Sequence, residues 1–157
     1  MAPRERADAP QPLITIGYAD HTREASQFAV QLCGALVERG AQVAALLAGT
    51  GDEPIVDARL GAFLEAGARA AKSVVVPPQG GEDVLRDALA QLAGDGFVLA
   101  LGNVVARFYR PFFSIVVTGH RRLISDDAQV LRADLEITSP SEPLAEELAK
   151  LLHSRLG

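Results

Sequence analysis

The chain has 157 residues, 48% of them hydrophobic and 22% charged, and 15 basic against 20 acidic residues leave a net charge of −5. These values fit one globular domain with a sizeable core. They argue against nucleic acid as a partner, because that affinity is built from many Lys/Arg–phosphate contacts and no basic cluster occurs. The single cysteine, Cys33, has no internal disulfide partner, and its apolar helical setting reads as a buried thiol. There is no apolar run of membrane-spanning length and no signal-peptide core, so a cytoplasmic location is expected.

Residues 1–11, "MAPRERADAPQ", are polar and proline-containing and read as a disordered tail, leaving 12–157 as one domain. "PLITIGY" is the first strand, followed by a helix over 24–39 with Phe28, Leu32, Leu36 and Val37 on one face. Gly40 stops that helix, and "AQVAALLA" (41–48) forms the second strand. After the loop "GTGDEP", a helix over about 56–65 is closed by Gly67. "KSVVVPP" is a third strand ended by two prolines, and the helix 82–92 buries Val84, Leu85, Ala88 and Leu92. "GFVLALG", "FFSIVVTG" and "LEIT" supply three more strands, and a last helix begins at or just after Ser141. The acidic start of "SDDAQVLRAD" (125–134) and the Ser141 cap read as helix-capping features.

Strands that are nearly all apolar, alternating with helices, predict an α/β three-layer sandwich with a mostly parallel sheet of about six strands. In such a sheet, ligands bind at the carboxyl ends of the strands. Those ends collect Tyr18, Asp20 and His21, then Gly49 to Asp52, then Gly102 and Asn103, then Gly119 to Arg122.

The first strand–loop–helix unit matches the frame of a phosphate-binding P-loop, G-x-x-x-x-G-K-[ST], only in outline. It reads G-Y-A-D-H-T-R-E, so Gly17 is followed by Thr22, Arg23 and Glu24 where glycine, lysine and a hydroxyl residue belong. Thr22 adds a β-branched side chain where the backbone must curl, and Arg23 is larger than the lysine slot. Glu24 puts an anion where phosphate and metal should meet.

The stretches 57–76, 97–117 and 130–138 resemble the P-loop proteins related to the molybdopterin-guanine dinucleotide biosynthesis adapter. The likeness rests on Asp57 and Arg59 opening a helix that ends in Ala66-Gly67-Ala68. It also rests on Leu101-Gly102-Asn103, on Pro111 before the strand 113–117, and on Ala133-Asp134 before the last strand. The resemblance implies a P-loop NTPase-like fold. It also implies that Leu101 stands where the family carries an acidic residue, which removes a metal-holding or water-positioning group. Because relatives of this class commonly act as pairs or with a client enzyme, the resemblance also implies a protein-binding surface.

Three functions follow as expectations. The first is a non-hydrolysing binding or scaffolding protein, an accessory factor in molybdopterin-type cofactor metabolism, with no catalytic residues, cofactor or metal. The second is binding of an anionic small molecule or nucleotide, drawing on Gly17, Asp20, His21, Thr22, Arg23, Asp52, Asn103, His120, Arg121 and Arg122. The third is an enzyme of unrelated chemistry built on Asp20, His21, Asn103 and His120. A homodimer or protein partner is expected at "RFYRPFF", where Arg107, Phe108, Tyr109 and Phe112 combine the aromatic and arginine character of interface cores.

Overall fold

The computed structural model describes residues 6–18, 22–51, 60–118 and 134–156. Six parallel strands form the main sheet: β2 (Leu13–Tyr18), β3 (Val43–Thr50), β4 (Ala70–Val76), β5 (Phe97–Leu101), β7 (Phe113–Val117) and β8 (Leu135–Ile137). Their spatial order is β4-β3-β5-β2-β7-β8. The helices are α1 (Thr22–Glu38), α2 (Leu60–Glu65), α3 (Gly81–Gln91), the single turn α4 (Val105–Phe108) and α5 (Glu142–Leu156). This is the α/β architecture with a parallel sheet that the apolar strands predict.

Side chains alternate between two cores because successive strand residues face opposite ways. Ile14, Ile16 and Tyr18 of β2 join Leu99 and Leu101 of β5 against Phe28, Leu32 and Leu36 of α1 and Leu148 and Leu152 of α5. Leu13, with Leu46, Val98 and Ala100, packs against Leu85 and Leu89 of α3, with Val105 and Tyr109 closing the layer. From β2 to β4 the chain advances toward one edge, with α1 and α2 on the first face. From β4 to β5 it reverses, and α3 lies on the second. A constant crossover handedness demands that change of face.

The expected stops and caps act as read. Gly40 donates to Val37 O and Ala41 to Leu36 O, at 2.9 and 3.0 Å, and the same pair recurs as Gly67 to Leu64 and Ala68 to Phe63 at 3.1 and 3.0 Å. Both are Schellman ends, in which the glycine takes a positive φ, here 88° and 108°. Ser141 Oγ accepts from Leu144 N at 3.3 Å at the start of α5. Strand β4 begins two residues earlier than its apolar run, at Ala70. The helix start expected at Ser125, and the part of the second helix before residue 60, lie outside the described residues.

Residues 6–11, which composition assigns to a tail, are tied to the rest of the domain. Ala7–Asp8 forms the short strand β1, paired in parallel with β6 (Tyr109–Arg110). Arg6 donates to Ala106 O at 3.2 Å, and Arg110 lies 3.4 Å from the Asp8 carboxylate. Gln11, 8% exposed, accepts from Gly94 N at 2.9 Å and donates to Gly96 O at 3.3 Å. This segment is held by polar bonds to distant residues, with Ala9 packed against the second core.

At the β8 edge of the main sheet Asp134 does the work of a strand residue. Its N–H donates to Ser114 O at 2.8 Å, and its carboxylate accepts from Ser114 N at 2.8 Å. The β7–β8 ladder is thereby extended by a side chain. Asp134→Ala is expected to lower unfolding free energy by about 1–2 kcal/mol, because the part-buried Ser114 N–H loses its acceptor. Asp134→Asn, which keeps an oxygen there, should recover most of that loss in denaturant melts.

Candidate functional site

Strands β5 and β2 are neighbours, and their outgoing connections diverge. The connection from β2 crosses the first face through α1, and that from β5 crosses the second through α4. Such a divergence opens the crevice in which open α/β sheets bind ligands. Here that crevice is bridged from within. Asn103 Oδ1 accepts from Tyr18 N at 3.0 Å and Asn103 Nδ2 donates to Tyr18 O at 3.0 Å, so both ends of the amide are engaged by one residue of β2.

Two glycines make the bridge possible. Gly102 sits at φ 131°, a conformation that L side chains rarely adopt, and turns the chain so that Asn103 reaches back over the sheet. A Cβ on Gly17 would lie 2.4 Å from Asn103 Oδ1. Two of the residues singled out in the sequence as ligand-binding, Gly17 and Asn103, are therefore brought together, as parts of one internal clasp.

Leu101, standing where the resemblance places an acidic residue, is 1% exposed and packs in the core beneath α1. Arg23 and Glu24 are exposed on the first turn of α1. Glu24 lines a cavity of about 340 Å³ with Gln27, Gln31, Thr138, Ser139 and Pro140. Asp20, His21, Asp52, His120, Arg121 and Arg122 lie outside the described residues, as does the side chain of Thr22. Among the described residues no group of three or more His, Cys, Asp or Glu is placed to hold a metal.

A second cavity, of about 350 Å³, opens at the carboxyl ends of β3, β4 and β5. Val76, Pro77, Pro78, Val104 and Phe108 form its apolar wall, with Arg107, Thr50 and Gly51 supplying the polar rim. The size and the mixture suit a small organic ligand. The prolines at the end of β4 were legible as a strand stop, but nothing local marks them as the wall of a cavity. They meet Phe108 only because β4 and β5 both flank β3.

The aromatic segment divides. Val104, Val105 and Tyr109 are buried at 3%, 0% and 6%, so Tyr109 roofs the sheet in a single chain. Burial raises the Tyr109 phenol above its usual range; nearby Arg86 opposes that shift and Glu82 adds to it. Phe108 is half-buried against the second core, Arg107 is exposed, and Phe112 remains 38% exposed with its ring tilted against Phe97 at 6.2 Å. The short connection buries more of its apolar side chains than its length suggests, because α4 and β6 turn successive residues inward.

Cys33 is fully enclosed by the first core, and desolvation pushes its thiol pKa up to about 11. Thr15 Oγ1, in the middle of β2, is buried with no hydrogen-bond partner among the described residues.

No protein-family profile, curated protein or solved structure matches this chain. No described helix is long and apolar enough to cross a membrane.

Asn103→Ala is expected to destabilise the fold by about 2 kcal/mol, since it removes two hydrogen bonds from the β2–β5 seam. Asn103→Asp should cost at least as much, because a carboxylate oxygen would then face Tyr18 O. Chemical denaturation of the three proteins measures both effects, and an Asp variant as stable as the parent would contradict the clasp.

Proposed function

We propose that this protein is a non-hydrolysing binding protein on a P-loop-like α/β fold, acting through the carboxyl rim of its sheet as a scaffold or accessory subunit. The observation that carries the reading is the Asn103 clasp. The space between β2 and β5, where a hydrolysing relative would open onto phosphates and metal, is spanned by an amide bonded at both ends to Tyr18. Two further features support it. Leu101 is committed to the core, and the first turn of α1 carries Glu24, whose charge opposes an incoming phosphate. The resemblance to the molybdopterin-guanine dinucleotide biosynthesis adapter proteins makes cofactor metabolism of that type the proposed setting.

A working phosphate loop needs glycine-rich backbone to curl round the anion, a lysine for its terminal oxygens and a hydroxyl for Mg²⁺. Thr22, Arg23 and Glu24 occupy those places. No Mg²⁺-dependent ATP or GTP hydrolysis above background is expected from the purified protein in a phosphate-release assay. Turnover that disappears in Arg23→Ala would overturn the proposal.

The cavity beside Arg107 favours a second reading, capture of a small anionic ligand with a flat apolar body. Phe108, Pro77 and Pro78 would hold the body, and the Arg107 guanidinium would meet the anion. Titration of ATP by calorimetry is the direct probe. On this reading binding is seen and Arg107→Ala weakens it about tenfold, equivalent to about 1.4 kcal/mol. Absence of heat with both proteins would leave the scaffold reading alone.

A further inference from the structure

The sheet ends on one side at β4, seven residues reading AAKSVVV, and no described strand pairs with its outer edge. The ladder fixes which groups that edge presents. Phe97 N donates to Gln42 O at 2.9 Å, with Val43 level with Phe97, so the even residues of β3 face β5 and the odd ones face β4. Ala45 is level with Ala71. Residues 70, 72 and 74 therefore carry the bonds to β3, and Ala71, Ser73 and Val75 direct their N–H and C=O groups outward.

Long, β-prone edges are usually blunted by proline, by charge or by shortness. This edge has no proline within it, and its one charged residue, Lys72, is held by a bond from its ammonium to Gln91 of α3. Val75 is 68% exposed, and Leu64 of α2, the helix packed against β4 on the same face, is 50% exposed.

We propose that β4 pairs with β4 of a second copy, antiparallel about a two-fold axis through Ser73, to join two six-stranded sheets into one. A two-fold contact must be self-complementary, and the sequence of β4 is so in one register. Centred on Ser73, the hydrogen-bonded pairs are Ser73 with its copy and Ala71 with Val75, while Lys72 stands opposite Val74 and Ala70 opposite Val76. Every outward group then finds a partner, and each exposed valine meets a small residue. Centring on Lys72 would set two ammonium side chains opposite each other. Centring on Val74 would bring Pro77, which has no N–H, opposite Ala71. Because the axis is perpendicular to the sheet, Leu64 and Val75 of both copies fall on one face of the joined sheet.

The test is light scattering on the full chain across a concentration series, with Ser73→Lys and Ser73→Cys alongside. The parent should approach twice the monomer mass, and Ser73→Lys should lose that species while keeping the parent's circular dichroism. Ser73→Cys should be linked between chains by a short thiol cross-linker, since the paired Cα atoms would be about 5.5 Å apart. Cys33, being enclosed, does not compete. A parent that stays monomeric at high micromolar concentration overturns the proposal. So does a dimer that survives Ser73→Lys, or one whose Ser73→Cys form is not cross-linked, since another surface would then hold it. If Ser73→Lys unfolds, the cross-link alone decides.

Discussion

The carboxyl and amino ends of one strand pair, β2 and β5, are held by two side-chain amides, and the rest of the rim takes its shape from them. Asn103, just after β5, binds the end of β2 through both Tyr18 backbone groups. Gln11, just before β2, binds the turn into β5 through Gly94 N and Gly96 O. Each strand thus carries, beyond its own end, the group that secures its neighbour. These are the strands whose connections leave for opposite faces, and α1 packs over both of them on the first face. A bidentate amide supplies there what a hairpin turn supplies in an antiparallel pair: a fixed register at the end of the ladder.

That arrangement moves the usable surface. With the switch-point crevice spanned by Asn103, the described concave surface lies to either side of it. One cavity opens between α1 and the end of β8, and the other between β3, β4 and α4. The first is lined largely by amides, a hydroxyl pair and Glu24; the second is apolar with a guanidinium at its rim. Their chemistries differ enough that a ligand suited to one is unsuited to the other. Charge at the first opposes an anion, and the walls of the second favour a flat body. The α4 turn matters to both the core and the rim, since Val105 is fully buried while Arg107 and Phe108, two and three residues on, reach the cavity.

What the sequence makes legible is set by how local the cause is. The six strands and the helix ends are written in short-range terms: apolar runs of strand length, Gly40 and Gly67 at Schellman ends, and Ser141 three residues before Leu144. The pairing of Gly17 with Asn103 is only half legible. Both stand at strand ends where ligands gather, and both therefore read as ligand-binding, yet only the sheet order makes the two strands neighbours and turns the amide onto backbone. Gln11 leaves no local trace, and Asp134 stands out only as half of the Ala133-Asp134 pair before the last strand, with nothing to mark its role in the ladder. One sits in a segment whose composition resembles a tail, and the other precedes a three-residue strand. Each acts on a residue that is far away in sequence, 83 and 20 positions respectively. Tyr109 is the converse case. Its aromatic and basic neighbours suggest an interface, while the turn of α4 into β6 rotates it into the second core.

The two edges of the sheet are built on different rules. At β8 the strand is three residues long, with Glu136 exposed in its middle, and its ladder is continued by the Asp134 carboxylate at one end and by Thr118 N bonding Ile137 O at 2.9 Å at the other. Shortness and charge are among the means by which sheets discourage further pairing. At β4 the one charged residue, Lys72, is bonded to Gln91 of α3. The strand is more than twice as long, and its outward residues are Ala71, Ser73 and Val75, uncharged and small or β-branched. Its prolines, Pro77 and Pro78, stand after it rather than within it. A parallel sheet has to finish somewhere on both sides, and the selective protection of one edge is a physical asymmetry within this fold. The β4 edge adjoins the rim at Val76, which both ends β4 and lines the cavity at the carboxyl ends of the strands.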